Sequence, residues 1–211
     1  MAFAFIQQSA EHLATTSRNQ SVFMLRILLC LVLLSGHYAI LALISIVMLD
    51  RFQGPYNGGS DRMSVLILWC LLGARAMPTL LWQEAFFGYL AFQLTLSYLI
   101  SGKVKLMNPE WRNGRALRDV FAFSAYPVSE GLRALSERHH LLWLMSWAVI
   151  LFELLFPLGL LHPYALLAVL IIGAGFHLAN ACSFGLNSFF WIWIAAYPSL
   201  IWFQHRLFES T

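Results

Sequence analysis

The chain has 211 residues, 60% of them hydrophobic and only 11% charged, with a formal net charge of +3. A chain this apolar exceeds what a soluble domain needs, and its apolar blocks can cross a hydrocarbon core of about 30 Å at roughly 20 helical residues each. Composition therefore excludes a soluble enzyme and a nucleic-acid binder. It predicts one all-α, polytopic transmembrane bundle of about six helices, with residues 1–211 as a single domain.

Residues 1–20 read as a polar or interfacial lead. Glu11 and Arg18 lie among Ser, Thr, Gln and Asn, unlike the basic start of a cleaved signal peptide, so the N-terminus is expected to be retained. Phe3, Phe5 and Ile6 can rest against headgroups. A first span is expected from Val22 to Leu49, carrying Arg26 near its start and Gly36-His37 within it, and closed by Asp50 and Arg51. Phe52 to Asp61 is a loop rich in Gly-Pro, Asn-Gly and Gly-Gly pairs, and Ser60 or Asp61 can cap the next helix.

That helix, Arg62 to about Leu72, is short. It either stops before Pro78 or continues beyond it as a kinked span. A third helix is expected from Trp82 to Ser101, with Gln83 and Glu84 at the positive end of its dipole and Gln93 at mid-membrane. It leads into Gly102-Lys103-Val104-Lys105. From Arg115 to His140 the pattern becomes amphipathic, and short helices on the membrane surface between the third and fourth spans explain it. The fourth span, Leu141 to Leu160, holds Glu153. The fifth starts at Pro163, reaches about Ser183 and carries His177 and Asn180. Gly185-Leu186-Asn187 is a tight connection, and the sixth span runs from Ser188 to Phe203, with Trp191, Trp193 and Tyr197 as interface anchors.

Cys30, Cys70 and Cys182 are too few and too far apart for a disulfide framework and read as small hydrophobes of the spans. The stretch from Lys103 to Arg138 holds seven of the thirteen basic residues, which places it on the cytoplasmic side by the positive-inside rule. No metal site is expected: His139 and His140 are adjacent and point apart on a helix.

Ionisable groups in a bilayer are costly, so those facing the bundle interior pair with something or serve a function. Lys103 and Lys105 lie about 200° apart on a helix and cannot share one environment. Each is either a snorkelling anchor or a reagent. An amine desolvated in an apolar pocket can act as a base near neutral pH, and Lys105 is the candidate for that role. Glu153 is either its counter-ion or a carboxyl kept neutral inside the bundle. His177 and Asn180 share a helix face and suit the orientation of a polar head such as a quinol oxygen, or else pack the helices.

The run Gln93, Tyr98, Gly102, Lys105-Leu106, Trp111, Gly114 resembles the helix-end signature of the horizontally transferred transmembrane (HTTM) domain, the bacterial relatives of vitamin K-dependent gamma-carboxylase. Tyr56-Asn57-Gly58-Gly59-Ser60-Asp61 resembles that family's glycine-rich turn before its second helix. Glu153 with Pro157, and His177 with Asn180, Phe184 and Gly185, resemble its later motifs. In the carboxylase, the lysine matching Lys105 deprotonates vitamin K hydroquinone, which then reacts with oxygen to form the strong base that allows glutamate to be carboxylated. The resemblance thus implies a quinol- or lipid-sized ligand among the helices, Lys105 as base with His177 as helper, and Gln93, Tyr98, Trp111, Glu153 and Asn180 around the ligand. It also implies a bacterial cytoplasmic membrane.

The chain ends at Thr211 without the large extramembrane portion by which the carboxylase holds its protein substrate, so gamma-carboxylation itself is not expected. It is similar in kind to a small bacterial member, the sporulation-delaying protein B, a membrane protein needed to mature a secreted peptide toxin. Expected partners are membrane lipids and either a small peptide substrate or a larger membrane complex.

Three readings follow. A membrane enzyme needs Lys105, Glu153 and His177 to face one cavity. A non-catalytic subunit of a larger complex uses the same polar groups to lock its helices. A transporter would need two broken helices and inverted halves, which the sequence does not display.

Overall fold

The computed structural model describes residues 2–15, 20–35, 37, 40, 43–44, 59–123 and 129–209. Every regular element among them is helical, as the composition predicts. The chain divides into two compact units, Met1–Ala91 with Asn187–Thr211, and Phe92–Leu186.

The first unit holds α1 (Ala2–Thr15), α2 (Gln20–Leu34), α3 (Gly59–Ala76), the start of α4 (Leu80–Met107) and α10 (Asn187–Glu209). The N-terminal residues expected as an interfacial lead are helical over Ala2–Thr15, with Phe3 exposed and Phe5 buried. They form a helix packed on α2 and α10, because Ala2, Phe5 and Ser9 recur at helical spacing and are all buried. Arg26, which interrupts the apolar face of α2, is buried as well. Its Nε donates to Ser9 Oγ at 2.5 Å, and its guanidinium lies 5.8 Å from the Phe5 ring centroid and 5.6 Å from that of Phe23. Of the three aromatics expected to anchor an interface, only Trp191 is exposed; Trp193 and Tyr197 are buried.

The remainder of the first expected span, to Leu49, lies largely outside the described residues, as does the loop before Gly59. Ser60 and Asp61 are already inside the first turn of α3 rather than preceding it, where the Asp61 carboxylate faces the positive end of the helix dipole. At Pro78 the chain breaks rather than kinks. The helix ends at Ala76, with Met77 N–H bonded to the Gly73 carbonyl at 3.1 Å, and restarts at Leu80.

The second unit takes the rest of α4 and then α5 (Pro109–Arg112), α6 (Arg115–Phe123), α7 (Glu130–Arg133) and a 3-10 helix (Ala134–Glu137). It closes with α8 (His139–Leu155), a second 3-10 helix (Phe156–Leu161) and α9 (Pro163–Phe184). Asn108 caps α5, its Oδ1 accepting from Glu110 N–H at 2.9 Å, and Pro109 takes the first helical position, where no N–H is needed. The amphipathic segment is realised as α6, α7 and the first 3-10 helix. Phe121 of α6 is buried, 5.1 Å from the Phe184 ring at the end of α9.

Three stretches are long and apolar enough to cross a membrane: Leu80–Met107, His139–Leu161 and Pro163–Phe184. They match three of the six expected spans. Helix α10 is 23 residues long, but Trp, Tyr, Gln and His dilute its apolar character. Of the cysteines, Cys30 and Cys70 are buried, whereas Cys182 is exposed on α9.

Candidate functional site

The site follows from which face of each spanning helix turns inward. On α8 the buried positions are Leu142, Ser146, Ile150 and Glu153. On α9 they are Leu166, Leu170, Gly173, His177 and Ala181. Both sets step by three and four residues, the spacing of one helix face, and the opposite faces present Leu144, Leu151, Ile171 and Leu178 outward. Glu153 and His177 therefore occupy core positions of otherwise apolar stripes. Helix α4 does the same: Leu94 and Tyr98 are buried, Gly102 follows one turn later, and Lys105 is half-buried after that.

Gly102 sets how closely α4 and α8 cross. A Cβ there would lie 2.9 Å from the Leu154 amide nitrogen and 3.0 Å from Glu153 Cβ, so only glycine allows this approach. One turn later Lys105 Nζ reaches both carboxylate oxygens of Glu153, at 2.8 and 2.6 Å. It also donates to Ser101 Oγ at 2.6 Å and stands 5.2 Å from the centroid of the Trp111 ring, a cation–π distance. Side-chain exposure is 15% for the lysine and 5% for the glutamate. Glu153 is thus the counter-ion of an inward lysine, the first of the two alternatives that the sequence leaves open.

Trp111 is held in place by its backbone. Its carbonyl accepts from Ser146 Oγ at 2.5 Å, and the next carbonyl, of Arg112, accepts from Trp147 Nε1 at 3.1 Å. Gly114 then turns the chain in the left-handed region, φ +79°, which glycine adopts without strain.

A second polar contact lies two turns before Lys105 on the same helix. Tyr98 Oη and His177 Nε2 are 2.8 Å apart. The Tyr98 ring stacks on Phe156 at 3.8 Å and meets the edge of Phe152 at 5.8 Å. The structure thus joins Lys105, Glu153 and Trp111 of α4, α8 and α5 in one cluster, and Tyr98 and His177 of α4 and α9 in another. It does not bring in Gln93, which is half-buried but about 140° round α4 from Tyr98. Asn180 is half-buried one turn beyond His177. Lys103 faces away from Lys105 and is exposed. Ser101 went unnoticed in the sequence; its position four residues before Lys105, one helical turn, is the signal that finds it. Among the described residues no group of three His, Cys, Asp or Glu side chains converges as a metal site would require.

Long apolar helices enclosing a buried ion pair define an integral, polytopic helical membrane protein. The family model for the HTTM domain matches residues 73–205, well over half of the chain, and the chain belongs to that carboxylase-related membrane family. No curated protein and no solved structure matches it.

Proposed function

We propose that this protein is a membrane enzyme that takes a proton from a quinol- or lipid-sized ligand at the Lys105–Glu153 pair. The observation that carries the reading is the environment of Lys105 Nζ: a carboxylate, a hydroxyl and an indole face hold it, yet it keeps some exposure while its partner is buried. A helix-end lysine that only anchored would extend to headgroups; this one folds back into the unit.

A hydroquinone, when bound, supplies a weakly acidic hydroxyl and, once deprotonated, a partner for oxygen. The residues fit such a group in one respect: the half-buried Trp111 offers a flat apolar face beside the polar cluster, and few polar groups converge on it, as ligand sites require. Lys105 Nζ is the atom such a hydroxyl would meet. Because the pair is already charged, uptake of a proton at Nζ requires Lys105 to pass its own proton to Glu153 across the 2.6 Å contact. The pair would then hold one extra proton, as ammonium and carboxylic acid. Ser101 fixes the rotamer of the amine, and Tyr98 with His177 holds α4 against α9 so that the cluster keeps its geometry. Gln93 and Asn180 have no part in the proton transfer and are proposed only as outlying ligand contacts. On the family resemblance we place the protein in a bacterial cytoplasmic membrane, with a small peptide as the second substrate class.

One observation favours a second reading, in which the same groups lock the helices of a non-catalytic subunit: the ionic groups of the cluster satisfy one another. Both readings are tested with the full chain in nanodiscs, using a short-chain naphthoquinone as the probe and tryptophan quenching as the readout. The variants are Lys105→Met and Glu153→Gln, with Arg118→Gln as control. The enzyme reading expects both site variants to fold and to lose affinity about tenfold or more, while the control keeps it. Unchanged affinity per folded molecule, with stability alone reduced, would leave the subunit reading standing.

A further inference from the structure

Helices α3 and α4 fold back on each other at the Pro78 break, where Gly73 lies against the ring of Phe86. Arg75 and Glu84, each two residues nearer the turn, come to the mouth of one cavity, and Leu71 and Phe87, further from the turn, line it too. Its volume is about 590 Å³, within the roughly 300–1,000 Å³ of small-molecule sites. Helices α1, α2 and α10 complete the wall through Ala2, Leu34 and Trp202.

The cavity is graded from polar to apolar. At the turn, Gln83 Nε2 donates to the Met77 carbonyl at 2.8 Å, which pins the amide there, and Arg206 Nη2 donates to Glu84 Oε1. The mouth thus holds the guanidinium groups of Arg75 and Arg206 against the single carboxylate of Glu84, an excess of one positive charge among these described side chains. Away from the turn the lining is apolar: Phe87 and Trp202 meet edge to face with 5.2 Å between ring centroids, and Leu71 adds to that wall. Leu34 and Leu80 are exposed at the rim. Leu80 also begins a stretch long enough to cross a membrane, so the cavity opens where hydrocarbon gives way to headgroups.

We infer that this cavity binds a single-chain amphiphile with a carboxylate head, the carboxylate at Arg75 and the chain running in along Leu71, Phe87 and Trp202. The excess positive charge favours an anion, and a guanidinium presents a planar fork that matches a carboxylate. The volume suits one small ligand, not a whole diacyl lipid. None of the lining residues belongs to the second unit, and the inference does not rest on the proton chemistry proposed for Lys105.

The test titrates the full chain in neutral detergent with hexadecanoate and with hexadecanol, and counts bound ligand by native mass spectrometry. The carboxylate is expected to bind about tenfold more tightly than the alcohol, the worth of a hydrogen bond to a charged group, and Arg75→Gln to remove that preference by weakening hexadecanoate alone. Arg75 is exposed, so this substitution keeps the fold. Ala74→Phe, which fills the lining, is expected to abolish binding of both ligands, and Arg138→Gln in the second unit to change neither. Equal affinity for carboxylate and alcohol, an unchanged preference in Arg75→Gln, persistent binding in Ala74→Phe, or displacement of hexadecanoate by equimolar phosphatidylglycerol would each overturn the assignment.

Discussion

Tyr98 and His177, 79 positions apart in the chain, meet at 2.8 Å through the phenol oxygen and Nε2, and each is only 2% exposed. The bond ties α4 to α9 at a level where both helices are otherwise apolar. The phenol is also the face on which Phe156 stacks at 3.8 Å, so hydroxyl and ring contribute separately. Tyr98→Phe keeps the stacking and removes the hydroxyl, which is expected to cost about 1–2 kcal/mol, whereas Tyr98→Ala removes both and should cost about 3–5 kcal/mol. Unfolding in mixed micelles separates the two, and equal losses would show that the hydroxyl carries nothing.

Gly102 predicts a different kind of loss. With Leu154 N at 2.9 Å from an added Cβ, the neighbour that must give way is backbone, which cannot rotate aside. Gly102→Ala is expected to part α4 and α8 and to destabilise by about 1–3 kcal/mol, the range for overpacking. Small residues at helix crossings serve this purpose in membranes, where close packing replaces the hydrophobic effect. The same movement should lengthen the Lys105–Glu153 contact one turn away. Gly88, whose added Cβ would meet only ring atoms of Trp202 and Phe203 at 3.8–3.9 Å, is the comparison: Gly88→Ala should be nearly neutral in the same unfolding assay.

What the sequence made legible was periodicity, and what it concealed was partnership. The bounds expected for the fifth span, Pro163 to about Ser183, differ by one residue from those of α9, because proline opens that helix and a left-handed glycine, Gly185 at φ +67°, closes it. That Lys103 and Lys105 face different environments was legible, because they lie about 200° apart on a helix. The choice of Glu153 as the counter-ion of Lys105, and of Tyr98 for His177, depends on how helices cross, and helical spacing within one element carries no information about that. The N-terminal helix shows the same limit. Phe5 reads as able to rest against headgroups, and its inward packing becomes visible only with the next helix, whose Arg26 Nε donates to Ser9 Oγ.

Gly114 is constrained twice. Its φ of +79° lies where L-residues other than Asn and Asp are rare, and an added Cβ would approach the Trp143 amide nitrogen at 2.9 Å. Asparagine relieves only the first constraint. Gly114→Asn is therefore expected to be almost as damaging as Gly114→Ala, each costing about 2 kcal/mol or more from strain and collision together. The turn also orients Trp111, whose ring faces Lys105, so the tryptophan emission of both variants should shift. Full rescue by asparagine would place the whole effect in the backbone angle.

The Lys105–Glu153 pair supplies the most discriminating prediction, because attraction and desolvation oppose each other in it. Both side chains are largely withdrawn from solvent, so removing one leaves the other buried without its counter-charge. Lys105→Met or Glu153→Leu alone is expected to cost about 3–5 kcal/mol. The double variant Lys105→Met/Glu153→Leu leaves no charge to strand and puts apolar atoms in an apolar setting, so it should be more stable than either single variant. The coupling energy from a double-mutant cycle in unfolding assays is the measurement. Additive losses would mean that the 2.6 Å contact contributes little and that solvent or headgroups screen the lysine. If the double variant instead regains stability while quinone binding stays lost, the pair is retained for its chemistry, since an apolar replacement would hold the helices together as well.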